Sequence, residues 1–454
     1  MSSAGDPAEW AARAVERAVA AGAGEAEAFA SEEATREVRV HGGEIESLTA
    51  ATRRGVGIRV WNGGRVGYGF GTDLSDVGVG ATAERAVEAA RAADQDEFAG
   101  PPAAAGEAPA LGGLSDASLA EWPAGRVAEL ALEIERRALE ADSRVVGVEQ
   151  AVYVDSADRV AISASTGLSG GYEATSCYGY LQALAEGDSG RETGLGFGMA
   201  RGPAGLDPAE IGREGAERAT AMIGSRKPAT RACPVVLDPT VAASFVALLG
   251  GSLGADAVQR GRSPLAGMIG ETVAGDAFVL SDDGLDPDGI ASAPIDGEGV
   301  PHRRTPLIEE GRLMTYLYDT YTARRGDAGS TGNAGRSGYR AQPSVSTSNL
   351  VVEPGRLDFS ELLAEAGEGV FVTDVAGLHS GVNPVTGVFS VGASGREIDG
   401  GELADPVREF TIASDLVSML KAVRETGATP RWVPFGGSVS TPPLLIAEMA
   451  ISGA

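Results

Sequence analysis

Helical and alternating patterns of apolar residues predict a first folding unit over residues 1–96. Asp6-Pro7 caps its first helix, because Asp accepts hydrogen bonds from the first turn and Pro fits the first helical position. Strand-like alternation follows and turns at Gly42-Gly43 and at Asn62-Gly63-Gly64, which predicts an antiparallel meander. A second helix is predicted over Ser75–Ala93, where apolar side chains recur on one face.

A second unit is predicted over residues 114–225, after a linker at residues 97–113 that is rich in Pro, Gly and Ala. Its first helix covers Pro123–Ala141 and stacks its apolar residues on one side. Asp155–Asp158 is interpreted as a turn between two strands. Asp207-Pro208 begins another helix.

The remaining residues, 226–454, predict a larger β-rich C-terminal domain. Asp238-Pro239 caps a helix after a short buried strand, and the pattern beyond it gives mostly strands and glycine-rich loops. Gly400-Gly401 lies between two alternating runs, which is a strong signal for a two-residue hairpin. The chain is therefore assigned to the α+β class, with two small helix-plus-antiparallel-sheet units followed by the larger domain.

The composition argues against nucleic-acid binding, membrane insertion and secretion. The 454 residues carry a formal net charge of −27, and nucleic-acid binding requires a basic surface instead. No apolar run approaches the ~18 residues of a membrane helix, and residues 1–6 lack the basic and apolar parts of a signal peptide. The two cysteines, Cys177 and Cys233, form no disulfide framework. We therefore expect a cytoplasmic protein that binds neither nucleic acid nor membrane, and leave open whether its acidity is an ecological adaptation or functional.

The segment Gly377–Gly401 has more glycine than an ordinary strand tolerates, and it contains an ordered series of short motifs. The motifs are Ser-Gly-Val-Asn, Thr-Gly-Val-Phe-Ser, Gly-Ala-Ser-Gly and Gly-Glu-Leu, at residues 380–383, 386–390, 392–395 and 401–403. This series resembles the signature of the TldD/PmbA (TldE) family. Three further segments resemble the family's N-terminal hairpin, central loop and terminal strand, at Arg53–Gly71, Ser330–Gly335 and Leu444–Gly453. The resemblance extends over nearly the whole chain.

In that family the TldD subunit is a zinc peptidase, with two His and a Glu on one helix and a Cys near the C-terminus. Such a site needs side chains that coordinate the ion and a carboxylate that activates its water. Alignment on Gln259-Arg260 places Ala247 and Ser252 at the ligand positions and Leu248 at the Glu position. The last cysteine, Cys233, precedes this helix. The resemblance thus implies no catalytic residue, metal site or cofactor in this chain.

Other candidates for chemistry have little support in the sequence. His41, His302 and His379 are far apart along the chain, although a metal site assembled from distant groups stays open. Gly167–Gly171 matches Gly-x-Ser-x-Gly but joins two strand-like segments, whereas a nucleophile elbow joins a strand to a helix. Cys177 is interpreted as a small buried hydrophobe.

Small-residue loops remain as candidates for contact with a peptide or a partner chain. Their backbone could capture an extended peptide by strand addition, or they could pack inside the C-terminal domain, and both interpretations stay open. The candidate contact residues are Ser330, Thr331, Gly332, Asn333, Asn383, Ser390 and Arg396.

The resemblance implies a zinc-free TldE-type subunit that pairs with a TldD-type subunit, which holds the zinc. Such heterodimeric metallopeptidases act on unfolded or leader peptides and take part in peptide maturation. One alternative is a self-associating, peptide-binding scaffold without a catalytic partner, and another is a self-sufficient hydrolase with an unrecognised site. Whether a homodimer forms without the partner also stays open.

Overall fold

The structure is a computed structural model that describes residues 5–103, 106–188, 190–434 and 437–454. The predicted linker at 97–113 therefore lies partly outside the described residues. The same holds for the region of the expected C-terminal Cys ligand, residues 431–441, and for the start of the chain. Helices and strands both occur throughout the described chain, which confirms the α+β class.

The N-terminal half is built on one six-stranded antiparallel sheet. Its spatial order is β3-β2-β1-β4-β5-β6, and the strands are β1 (Glu25–His41), β2 (Glu44–Asn62), β3 (Arg65–Gly71), β4 (Val145–Ala164), β5 (Ser169–Gly187) and β6 (Gly190–Ala200). Strand β1 pairs with β4 from Glu27 opposite Ala164 to Val40 opposite Ala151. The strands of the two predicted helix-plus-sheet units thus form a single continuous sheet.

Four helices cover one face of this sheet: α1 (Pro7–Ala20), α2 (Asp76–Ala92), α3 (Ala124–Ala141) and α4 (Pro208–Ala221). Alternate residues of β1, including Ala26 and Ala28, are buried in the cores beneath these helices. The residues between them, Glu27 and Phe29, lie on the opposite face because side chains alternate along a strand. Phe29 packs there with Ile295 of the C-terminal domain, so this second face forms the junction between the two halves.

The predicted turn at Asp155–Asp158 is wrong, because these residues lie in the middle of β4. Asp155 is buried, and it accepts hydrogen bonds from the Arg36 guanidinium and, at 2.8 Å, from the Tyr153 hydroxyl. A polar segment that resembles a turn in the sequence thus lies within a sheet, where Arg36 of the neighbouring strand β1 supplies a charged partner for Asp155. The predicted turns at Gly42-Gly43 and Gly63-Gly64 are confirmed, with positive φ at all four glycines.

The C-terminal half packs two six-stranded sheets around one helix, α5 (Pro239–Leu253). Its first strands are β7 (Arg231–Leu237), β8 (Leu280–Asp283), β9 (Arg304–Glu309), β10 (Arg312–Leu313), β11 (Ala334–Gly335), β12 (Ser344–Val345) and β13 (Asn349–Val352). The later ones are β14 (Gly369–Ala376), β15 (Val388–Asp399), β16 (Glu402–Asp415), β17 (Val423–Thr426), β18 (Arg431–Val433), β19 (Ser438–Thr441) and β20 (Leu444–Ser452). The sheet orders are β10-β9-β8-β13-β19-β18 and β16-β15-β14-β7-β20-β17, with β11 and β12 as a separate pair.

The hairpin at Gly400-Gly401 is confirmed, since it joins β15 to β16 with positive φ at both glycines. The sequence pattern missed several short helices after α5: α6 (Ala255–Gln259), α7 (Thr320–Arg325), α8 (Phe359–Ala366), α9 (Leu378–Gly381) and α10 (Leu416–Lys421). Over the described ranges, none of the helices has both the length and the apolar character needed to cross a bilayer.

Candidate functional site

Helix α5, where the resemblance places the family's metal helix, is embedded in the C-terminal core. Ser252 is buried with 5% of its surface exposed, and its carbonyl oxygen accepts a hydrogen bond of 2.6 Å from Ser263 Oγ. Ala247 and Leu248 are half-buried and pack against the same core. Phe245 of this helix packs against Phe389 of the glycine-rich signature, with ring centroids 4.9 Å apart and ring planes inclined by 50°. The three aligned positions therefore take part in apolar packing.

These residues do not fit a zinc ion. Throughout the described parts of the chain, no group of three or more His, Cys, Asp or Glu side chains is placed to hold a metal. The three histidines lie in separate regions: His41 at the end of β1, His302 in a loop before β9, and His379 on the surface in α9. Cys233 is buried on β7.

The glycine-rich signature brings its candidate residues to different surfaces. Asn383 is exposed, and its side-chain oxygen accepts hydrogen bonds from the backbone N–H groups of Val385 at 2.9 Å and Thr386 at 3.2 Å. Ser390 is also exposed on β15. Arg396 instead lines a separate cavity of about 470 Å³ between the two halves and donates to the carbonyl oxygen of Ala404 at 2.8 and 3.0 Å.

The central loop places its four candidates together but largely inside the protein. Thr331, Gly332 and Asn333 are buried, and Ser330 is half-buried. Thr331 Oγ1 accepts from the Tyr318 N–H at 2.7 Å, and the Thr331 N–H donates to the Tyr318 carbonyl oxygen at 3.1 Å. Thr331 thus helps to fix the conformation of the loop, while Asn333 lines a cavity.

A buried ion cluster, consisting of Glu27, Arg59, Glu298 and Arg336, joins the central loop region to the N-terminal sheet. Arg59 Nη2 lies 2.7 Å from Glu27 Oε2 and 2.8 Å from Glu298 Oε1, and Arg336 binds the other oxygen of Glu27. Glu298 also accepts a hydrogen bond of 2.9 Å from the Thr320 N–H. Glu27 is completely buried, so its two guanidinium partners neutralise a charge that water cannot reach.

The pKa values in this cluster follow from burial and pairing. Burial alone would lower the pKa of Arg59, but the charges of Glu27 and Glu298 raise it above its ordinary value. Burial would raise the pKa of Glu298, and Arg59 together with the hydrogen bonds from Thr320 lowers it overall. Arg59 and Glu298 therefore remain charged near neutral pH.

Two further carboxyl groups lie next to the cluster. Asp296 accepts from the backbone N–H groups of Glu298 and Val300, at 2.8 and 2.9 Å, and from that of Ala334 at 3.0 Å. Burial, followed by the charge of Glu298, raises the pKa of Asp296 to about 7. Burial also raises the pKa of Asp282 to about 6.

A cleft between the two halves runs beside these groups. One part of it, the Asn333 cavity, has a volume of about 590 Å³ and is lined by Asn333, Asp296 and His302 together with the serine-rich segment 344–348. Burial lowers the pKa of His302 to about 4, so this imidazole is neutral near neutral pH. The adjoining groove has a volume of about 730 Å³. The two share Phe29, Tyr172, Ala291, Ala293, Arg336 and Ser337 in their linings.

Sequence reasoning missed the buried ion cluster and Asp296. The sequence contains one sign that Glu27 is unusual: this charged residue lies within the apolar run Ala26–Ala30 of a predicted strand. Arg59 lies inside a segment that carries the family resemblance, and Arg336 directly follows another such segment. What the sequence lacked was the pairing, since Glu27 and Arg336 are 309 positions apart.

Comparison with known proteins agrees with this architecture. Three family models match in order: the PmbA/TldA metallopeptidase domain 1 at residues 26–93, the central domain at 117–223 and the C-terminal domain at 230–453. The chain is 28% identical over 415 residues to the metalloprotease PmbA of Escherichia coli O157:H7, covering 90% of this chain and 88% of that protein. It is also 28% identical over 420 residues to a PmbA homologue of Haemophilus influenzae, with the same shares covered.

Solved structures share the complete fold. A Thermotoga maritima protein named as a modulator of a DNA gyrase superposes with a TM-score of 0.90 at 26% identity, covering 98% of this chain and 99% of that one. TldE from Thermococcus kodakarensis superposes with a TM-score of 0.89 at 23% identity, covering 97% and 99%. The ordered family models, the relatives that match along most of their length and the shared fold together show that this chain belongs to the PmbA/TldD metallopeptidase family.

Proposed function

We propose that this chain is the zinc-free, TldE-type subunit of a heterodimeric metallopeptidase, and that its partner is a TldD-type subunit that holds the zinc. The complex would cleave unfolded or leader peptides in the cytoplasm and serve proteolysis or peptide maturation. The chain itself would contribute scaffold and peptide contacts rather than catalytic groups.

This proposal rests on the side chains of helix α5 at the positions that align with the family's zinc ligands. A zinc peptidase needs ligands and a carboxylate on this helix, whereas Ala247, Leu248 and Ser252 supply an apolar surface and one buried hydroxyl. The rings of Phe245 and Phe389 pack against each other at a tilt of 50° beside this surface. The chain thus keeps the family fold, but at these three positions its helix α5 packs in the core and offers no zinc ligands.

The surface of the glycine-rich signature is our candidate for the partner interface. Val385 and Val388 are exposed at 46% and 54%, and they lie beside the exposed Asn383 and Ser390. Interfaces bury apolar side chains at their centre and keep polar groups at the rim. This arrangement would let a partner chain cover the two valines while it hydrogen-bonds the polar residues around them.

Co-expression with a TldD-type subunit tests the proposal. We expect a 1:1 complex in size-exclusion chromatography, zinc only in the partner, and cleavage of an unstructured peptide by the complex but not by either the lone chain or a chelated complex. Val388→Arg should weaken the complex because it places a charge in the apolar contact. Val77→Arg is the matched control, since Val77 is 82% exposed on α2, away from the signature.

The other outcomes separate the alternatives. One tightly held zinc per lone chain would refute the zinc-free assignment. Self-association of the lone chain with no affinity for a TldD-type subunit would favour the scaffold. Peptide cleavage by the lone chain that resists chelators would favour a self-sufficient hydrolase.

A further inference from the structure

The Asn333 cavity contains a buried hydrogen-bond acceptor that is not satisfied within the described chain. Asn333 is only 2% exposed, and its Oδ1 has no hydrogen-bond partner among the described residues. An unpaired buried acceptor destabilises the folded state, and such groups are rare enough in native proteins that each one calls for an explanation. Asn333 is part of the cavity lining, so a ligand in the cavity would lie next to its side chain.

The orientation of the Asn333 amide is fixed by its other bonds. Its Nδ2 donates to Asp282 Oδ1 at 2.7 Å and to the Ser346 carbonyl oxygen at 3.2 Å. A carbonyl oxygen can only accept, and the Asp282 carboxyl already accepts from the Ser348 N–H and hydroxyl. The amide nitrogen must therefore face these two acceptors, which leaves Oδ1 available to a donor.

The charges around the cavity favour a donor that is positively charged. The cavity and the groups directly behind it combine four carboxyl groups, Glu27, Asp282, Asp296 and Glu298, with only two guanidiniums, Arg59 and Arg336. Arg336 is fully engaged with Glu27 and, at 2.6 Å, with the Gly297 carbonyl oxygen. Burial raises the pKa of Asp296 to about 7, so this carboxyl is only partly ionised near neutral pH, and a cation in the cavity would favour its charged form.

The position of Asp296 adds a second acceptor next to Asn333. Its Oδ2 accepts from the N–H of Ala334, the residue that follows Asn333, and Asp296 also lines the cavity. A primary ammonium carries three donors, enough for one hydrogen bond to each of these two side chains. A volume of about 590 Å³ is ample for one or two residues of a peptide.

We propose that the Asn333 cavity binds a primary ammonium group, such as the N-terminus of a peptide, through Asn333 Oδ1 and the Asp296 carboxylate. The rest of the peptide would lie in the adjoining groove, whose lining is partly shared with the cavity. This deepens the proposed function by naming what the subunit grips, and it rests on that proposal only for the peptide nature of the ligand.

Calorimetry on the full-length chain without its partner tests the inference. The probes are tetraalanine amide, its N-acetylated form and N-acetyl-lysine amide. We expect tetraalanine amide to bind about tenfold or more tightly than its acetylated form, because charge-assisted hydrogen bonds are lost on acetylation. Binding of N-acetyl-lysine amide as well would identify a site for any primary ammonium, and its failure to bind would restrict the site to peptide N-termini.

A steric variant locates the site. Ser346 is exposed and lines the cavity, so Ser346→Phe should fill it and reduce tetraalanine amide binding about tenfold or more. Ser360→Phe is the matched control, on the exposed surface of α8 outside the cavity lining, and should bind like the unmodified chain.

Equal affinity for the free and acetylated peptides, or no binding of either amine, would overturn the inference and leave an ordered water as the donor to Asn333. Preference for a divalent metal ion over both amines would overturn it too. None of these results depends on zinc or on a partner subunit, so they remain distinct from failure of the proposed heterodimer.

Discussion

Helix α5 and the buried ion cluster differ in chemistry although both are deep inside the protein. At α5, the positions aligned with the family's metal site are aliphatic or hydroxyl side chains in an apolar core. At the junction of the two halves, Glu27, Arg59, Glu298 and Arg336 bury four charges in mutual contact.

The two regions should differ in how well they tolerate substitutions. An apolar core tolerates exchange of one hydrophobic residue for another of similar volume. A buried charge has no such freedom, because loss of one partner leaves the other unpaired. We therefore expect the junction, rather than α5, to be the region where small chemical changes have the largest effects.

Removal of the charge of Glu27 should have the largest effect. Glu27→Gln leaves the buried Arg336 without its carboxylate, and we expect the free energy of unfolding to fall by about 3 to 5 kcal/mol. Urea denaturation measures this value. Glu33→Gln on the same strand is the control, since Glu33 pairs with Arg53 at the surface, at 3.4 Å, and should change stability by less than about 1 kcal/mol. Equal effects would contradict the distinction.

Introduction of the missing histidines into α5 should cost less. Ser252→His puts a large polar ring into a packed core, and we expect a loss of about 1 to 3 kcal/mol. Ala247→His should cost less, because Ala247 is half-buried. Thermal and urea denaturation compare the two variants. A stability gain on addition of zinc to the double variant would show that side chains outside α5 complete a metal site.

The Asp296 carboxyl should produce a pH-dependent effect. Its pKa is raised from 3.8 to about 7, so the folded state keeps a proton that the unfolded chain has lost, and its contribution to stability falls as the pH rises from about 4 to 7. Its charged or titratable neighbours are Glu298, which contributes to this shift, and Arg336, His302 and Tyr172, which line the same cavity.

Asp296→Asn removes this titration. We expect the stability of the variant minus that of the unmodified chain to increase with pH across that window, by at most about 1.4 kcal/mol per pH unit. Urea denaturation at pH 4.5, 5.5 and 6.5, roughly spanning the window, gives the slope. Asp282, whose pKa is raised to about 6, is present in both proteins and cancels. A difference that stays constant with pH would contradict the assignment.

The smallest effect on stability should come from the exposed part of the signature. Asn383→Ala loses two local hydrogen bonds to the backbone, which should cost about 1 kcal/mol or less. Ser390→Ala should be nearly neutral because Ser390 is exposed. If the signature surface binds the partner, both variants should weaken the heterodimer more than they weaken the fold, as measured by calorimetry and urea denaturation side by side.

The sequence by itself determined the helix caps and the tight hairpin, because these features depend on residues that are adjacent in the chain. The caps at Asp6-Pro7 and Asp238-Pro239 and the hairpin at Gly400-Gly401 depend on a few neighbouring residues, and the structure contains all of them. The family and the α+β class also followed from the sequence, since ordered motifs along most of the chain carry them.

Long-range pairing was decided by the tertiary structure. Asp155 looked like a turn residue because its partners, Arg36 and the neighbouring strands, are distant in sequence. The continuous sheet through β1 and β4 and the contact of Glu27 with Arg336 likewise join segments more than a hundred positions apart. Propensity and capping act over a few residues, whereas burial and charge pairing depend on which surfaces the folded chain brings together, and this is why the Asn333 cavity could be found only in three dimensions.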